Sequence, residues 1–121
     1  MIKVQTYLKI VDNTGVKKIL CIRLLGTQQK IGIIGNCIIG SIKYSLPKSA
    51  FKKSDIVRGL IIRTRKPLRR LNGSRIYFRE NAVILINKEN NPIGTRIFGP
   101  ILNEIRLKGF TKVASIASEI I

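Results

Sequence analysis

A chain of 121 residues with 45% hydrophobic residues has enough apolar material for one domain with its own core. A disordered basic tail is thereby excluded. The 23 Lys and Arg against six acids give a net charge of +17, and self-repulsion at that level opposes compaction unless a polyanion offsets it. Nucleic acid, an anionic membrane surface or an acidic protein is therefore the expected partner.

Gln5 to Val11 reads as a short first strand, closed by the turn Asp12-Asn13-Thr14-Gly15, where Asn and Gly tolerate positive φ. Lys17 to Leu25 follows, with Ile19, Cys21 and Arg23 alternating against Leu20, Ile22 and Leu24. Both faces are largely apolar, which suits a strand that is buried or that closes a barrel. Gly26 ends it, and Gly32 and Gly35 bracket a second turn. Asn36 to Leu46 is the next strand, with Ile38, Ile42 and Tyr44 on one face and Pro47 as its stop. Residues 48–55 form a basic connection, and Ile56 to Thr64 is again a strand. Asn72-Gly73 marks a hairpin. Ala82 to Asn87 is a continuous apolar run that fits a central strand. Five or six short strands with Gly-rich turns suggest a small closed barrel rather than an open sheet.

The last third changes character. Residues 88–92 read as a loop, and Ile93 to Pro100 has little periodicity. Leu102, Glu104, Ile105 and Arg106 form a turn or two of helix ended by Gly109. A second short helix is expected over 111–118, with Val113, Ile116 and Ala117 towards the barrel.

Little of the chemistry that enzymes use is present. There is no histidine, the residue best suited to proton transfer near neutral pH. The acids are scattered, and neither a carboxylate pair nor a Gly-rich phosphate loop occurs. Cys21 and Cys37 lie in apolar runs and read as small buried thiols, with a disulfide as the alternative. No enzyme activity, metal or cofactor is expected. The first residues hold no long apolar stretch, so no signal peptide is expected, and no run approaches the ~20 apolar residues of a spanning helix.

The segment 60–79 carries the densest charge. On a strand alternate side chains share a face, so Arg63 and Arg65 would point one way and Ile62 and Thr64 the other. Read as a two-residue turn, Asn72-Gly73 sets Arg70 opposite Arg75 and Lys66 opposite Arg79. Like charges directly opposite destabilise a sheet, unless each finds a phosphate. Arginine suits that role because its planar fork grips phosphate oxygens in pairs. A solvated ribbon whose charges block edge-to-edge association is the alternative. The candidate RNA contacts are Lys17, Lys18, Lys48, Lys52, Lys53, Arg63, Arg65, Lys66, Arg69, Arg70, Arg75 and Arg79, with Arg63 and Arg65 first because a strand orders them. Aromatics are few, and Tyr44, Phe51, Tyr77 and Phe78 read as packing residues rather than base-stacking platforms. Phosphate and shape recognition of folded RNA is then favoured. A membrane-surface or acidic-protein binder would need an amphipathic basic helix, whereas these cations sit on turns and strands.

Asp12-Asn13-Thr14-Gly15, Gly59-Leu60-Ile61-Ile62-Arg63-Thr64, Arg69-Arg70-Leu71-Asn72-Gly73-Ser74, Phe78-Arg79-Glu80-Asn81-Ala82-Val83 and Pro92 to Pro100 together resemble the large-subunit ribosomal protein fourteen family over essentially the whole chain. The resemblance implies a mainly β fold. It would be a five-stranded barrel over 1–87 with a projecting ribbon at about 63–79, and a C-terminal loop and short helices over 88–121, all one domain. It implies binding to large-subunit rRNA, neighbours in large-subunit proteins three and nineteen, and contact with small-subunit rRNA at intersubunit bridges. It also implies a surface at Thr95, Arg96 and Lys112 for the bridge or for a ribosomal silencing factor. Neither DNA nor membrane is implied. Ser54-Asp55 stands where the family usually has Gly-Asp, and Lys66-Pro67 where Lys-Lys or Lys-Gly is usual. The Ile-, Lys- and Asn-rich, Ala-poor composition is what AT-rich codon usage gives, so a ribosome inside a plastid is expected, with an AT-rich bacterium as the alternative.

Overall fold

The computed structural model describes residues 2–26 and 30–121. Nine strands and two short helices lie within them: β1 (Tyr7–Ile10), β2 (Val16–Leu25), β3 (Cys37–Ser45), β4 (Ile56–Arg63), β5 (Leu68–Arg69), β6 (Arg75–Ile76), β7 (Ala82–Ile86), β8 (Ile97–Ile101), α1 (Asn103–Leu107), α2 (Thr111–Ile116) and β9 (Ala117–Ile120). Strands β1-β2-β3-β4-β7 close into a barrel. Each pair is antiparallel except β7 with β1, where Lys9 stands beside Ala82 and Ile10 beside Val83 in a parallel register. Closure removes the free edges that a five-stranded open sheet would expose.

Period-two alternation sorts the core into two layers. Leu8, Ile10, Ile19, Cys21, Ile38, Ile42, Ile61, Val83 and Leu85 fill the barrel. Leu60, Ile62, Ala82, Ile84 and Ile86 point the other way, into a second cluster with Ile97, Ile101, Leu102, Ile105 and Val113. That is why β4 and β7 read as unbroken apolar runs: one face looks into the barrel and the other lies under the C-terminal layer. Gly59 permits the close approach of these two strands. A Cβ there would overlap Val83 Cγ1.

β2 is not buried on both faces as its composition suggests. Ile22 is exposed, and bulges between Cys21 and Arg23 and near Lys18 break the alternation. Tyr44 is also exposed rather than buried with Ile42. In the C-terminal third, the aperiodic segment before α1 contains a real strand. β8 pairs in parallel with β9, which takes the last residues expected of the second helix. β8 also continues the barrel's hydrogen bonding, since the Phe98 N–H donates to the Val11 carbonyl at 2.8 Å.

Candidate nucleic-acid interface

The positive charge divides into cations that hold the fold and cations that face outward. Arg63, one of the candidate phosphate contacts, belongs to the first group. It is 6% exposed at the end of β4. Its Nη1 donates to Glu80 Oε1 at 2.8 Å, and its Nη2 donates to the Phe98 carbonyl. Burial lowers the guanidinium's pKa, and the Glu80 charge offsets only part of that. Gly99 lies over this guanidinium with φ +88°, leaving no room for a side chain. Arg70 is also engaged: it forms an ion pair with Glu104 on α1 at 3.0 Å and donates to the Ile121 carbonyl.

The ribbon's register differs from a two-residue turn. Arg69 pairs with Arg75 and Leu68 with Ile76. Arg70 N–H donates to the Ser74 carbonyl, and Gly73 N–H to the Arg70 carbonyl. Leu71, Asn72 and Gly73 therefore form a three-residue loop. Gly73 takes φ +86°, which suits the left-handed position of that loop. The Asn72 carboxamide oxygen accepts from both Ser74 N–H and Ser74 Oγ. Leu68, Ile76 and Phe78 seat the ribbon on the C-terminal cluster while Leu71 stands fully exposed at the tip. Pro67 falls just ahead of β5, where its missing N–H costs no ladder bond.

Lys66, Arg69, Arg75 and Arg79 are exposed along this ribbon, and Arg69 and Arg75 face each other as like charges. Arg65, also exposed, is oriented from two sides. Its backbone N–H donates to Asn81 Oδ1 at 2.9 Å, and its Nε donates to the Arg79 carbonyl at 2.9 Å. Its side chain joins Lys17 and Lys18 of β2, with Tyr7 and Lys9 of β1, around a cleft of about 510 Å³. Glu80 lines the cleft too, but its oxygens are taken by Arg63 and by Lys9 Nζ at 3.1 Å. Lys18 Nζ lies 4.4 Å from the Tyr7 ring centroid.

Loop 46–55 brings further charge to the β2 start. Leu46 N–H donates to the Gly15 carbonyl and Ser49 Oγ to the Thr14 carbonyl, both at 2.8 Å. Lys48 is thereby held beside the turn before Lys17. Lys52 and Lys53 follow on the same loop, which closes with Lys52 N–H donating to Asp55 Oδ2 at 2.9 Å. Asp12, 4% exposed, anchors the neighbouring turn by accepting from Thr14 and from Leu85 N–H on the adjoining strand β7.

Thr95 and Arg96 are held by Asn13. Its Oδ1 accepts from both of their backbone N–H groups, and its Nδ2 donates to Thr95 Oγ1 at 2.7 Å. Lys112 stands exposed on α2, lining a separate cleft with Glu89, Asn90 and Lys108.

Sequence matching decides the family. The description Ribosomal protein L14p/L23e matches residues 1–121. The chain belongs to that family. It is thus a structural, rRNA-binding component of the large ribosomal subunit, in a family of structural proteins rather than enzymes. Among the described residues, no helix is long and apolar enough to cross a membrane.

Several residues of the interface escape a reading by local pattern. Lys9 and Glu80 gain their roles only when β1 and the ribbon exit meet. Tyr7, Tyr44 and Tyr77 are all exposed, against the expectation that Tyr44 and Tyr77 serve as packing; Phe51 and Phe78 do pack. The polar neighbours of Tyr7, Gln5, Thr6 and Lys9, are the signal that could have marked it as a surface aromatic.

Proposed function

We propose that ten exposed cations contact the rRNA backbone: Lys17, Lys18, Lys48, Lys52, Lys53, Arg65, Lys66, Arg69, Arg75 and Arg79. Arg63 and Arg70 drop out of the twelve candidates because each is committed within the fold. The carrying observation is this division. The basic cleft and ribbon present cations that have no acid to pair with, while every ion pair found among the described residues uses Lys9, Arg63 or Arg70. Unpaired like charges such as Arg69 and Arg75 are tolerable on a surface that meets phosphates. The chain acts as one domain, 1–121, at the intersubunit side of the large subunit, beside large-subunit proteins three and nineteen and touching small-subunit rRNA at bridges. Asn13 presents Thr95 and Arg96 in a fixed geometry, which supports a protein- or bridge-contact surface there. Thr95 and Arg96, together with Lys112 on its separate cleft, would be the residues that meet a ribosomal silencing factor. Composition supports a plastid ribosome.

The test is binding to large-subunit rRNA as salt is raised, against an unrelated structured RNA. Neutralising about 6–10 phosphates should lower affinity by roughly 10³–10⁵ between 50 and 200 mM salt. A shallow slope would sink the proposed backbone contacts, and a steep slope without preference for the ribosomal RNA would reduce the surface to a general polyanion binder.

A further inference from the structure

We propose that the cleft between β1, β2 and the ribbon exit holds a single unpaired RNA nucleotide, its base against the Tyr7 ring and its phosphates on Lys17 and Arg65. This rests on the rRNA-binding reading and names the RNA feature that the cleft takes.

Three observations point there together. Tyr7 is 55% exposed, on the outer face of a barrel strand whose alternate residues Leu8 and Ile10 are buried. An aromatic ring in that position contributes little to the core. Lys18 Nζ sits 4.4 Å from the ring centroid, so the ring already holds a cation, while more than half of the residue stays exposed. Each nucleotide has a π-face and a phosphate, and an aromatic flanked by cations matches both.

The charge around the ring is arranged for an anion. Lys17 and Lys18 come from β2, and Arg65 is fixed through its backbone and Nε, leaving its terminal nitrogens for a ligand. Glu80, the one acid at the cleft, is neutralised by Arg63 and Lys9 at 2.8 and 3.1 Å. The volume of about 510 Å³ falls within the range of about 300–1,000 Å³ typical of small-molecule sites. A continuous duplex hides its base faces and could offer this cleft only phosphates. A bulged or looped nucleotide offers both groups.

Stacking and charge neutralisation separate in a salt titration. With full-length large-subunit rRNA, Tyr7→Leu should weaken binding about 5- to 150-fold, the effect of losing one stacked base, and leave the salt slope unchanged. Tyr7→Phe should bind within about twofold of the unsubstituted protein, because the π-face survives. Lys17→Gln should instead flatten the slope by about one charge. Ultraviolet cross-linking of the same complex should join Tyr7 to a nucleotide that is unpaired in the rRNA. Unchanged affinity for Tyr7→Leu, with the Lys17→Gln effect intact, would overturn the nucleotide site and leave the backbone-contact reading standing. Loss of the salt slope in the unsubstituted protein would overturn both. A cross-link from Tyr7 to a base-paired nucleotide would overturn the unpaired-base assignment. Urea unfolding of each variant checks that the barrel is intact, as the exposed position of Tyr7 leads us to expect.

Discussion

Removing Glu80 should harm the fold more than removing Arg63. The guanidinium of Arg63 is buried, with two acceptors: the Glu80 carboxylate at 2.8 Å and the Phe98 carbonyl. Its Nε has no partner. Glu80→Ala leaves that charge inside the protein with one acceptor. An uncompensated buried charge costs about 3–5 kcal/mol. The Glu80 side chain is 33% exposed, so water can partly take its place and the expected cost falls to about 2–3 kcal/mol. Arg63→Met works differently. Its stem is replaced by apolar volume, and Glu80 keeps Lys9 at 3.1 Å. The Phe98 carbonyl loses a donor, so the net cost should be about 1 kcal/mol. The double variant should resemble Arg63→Met alone, giving a coupling of about 2–3 kcal/mol. Urea denaturation followed by circular dichroism reads these differences, with Glu80→Ala lowering the midpoint by about 1–2 M. Additive single-variant costs, or a Glu80→Ala midpoint equal to that of the unsubstituted protein, would refute the internal ion pair as a determinant of the fold.

Other expectations follow from backbone and packing. Ser54 takes φ +74°, so Ser54→Gly should raise stability by about 0.5–1 kcal/mol once relieved strain is set against the flexibility gained by the unfolded chain; a lower melting temperature would contradict this. Gly59→Ala places a Cβ on Val83 and 3.5 Å from Ile38 Cγ1, and thermal unfolding should show a loss of about 1–3 kcal/mol. Burial pushes the Cys21 thiol's pKa above its ordinary 9.0, and Cys37 is only half-buried; a thiol reagent should modify Cys37 in the native protein and Cys21 only on unfolding. Because the folded state holds the Cys21 proton more tightly than the unfolded chain, this contribution to stability is complete below about pH 9 and declines as pH rises towards the folded pKa. Cys21→Val should lessen the alkaline loss in a pH series of unfolding midpoints.

The barrel was legible because its signals are local. Alternation along β1 and β3, the Gly-containing turns at Gly15 and Gly35, and the doubly apolar runs of β4 and β7 each reflect burial that a strand imposes on its own residues. What local pattern could not carry is pairing across the chain. Arg63 reads as a surface cation until Glu80 and Phe98, 17 and 35 residues away, supply its acceptors. β8 contains Gly99 and Pro100, and β9 is Ala117-Ser118-Glu119-Ile120. Neither alternates, and each is a strand because the other lies beside it. The ribbon's turn was placed correctly, but its register moved because Asn72 bonds forward to Ser74 and Gly73 adopts the left-handed position of a three-residue loop. The positive charge itself is read directly from sequence. Their division into structural and outward-facing groups required the fold.

That division is tested most directly by chemical protection. Lysines would be acetylated and arginines modified with phenylglyoxal, in the free protein and in its complex with large-subunit rRNA, and each site read by mass spectrometry. Lys17, Lys18, Arg65, Arg69, Arg75 and Arg79 should react readily when free and become protected by rRNA, while Arg63 should be unreactive in both states. Arg63 reacting in the free protein and gaining protection on rRNA, or the ribbon and cleft cations reacting equally in both states, would contradict it.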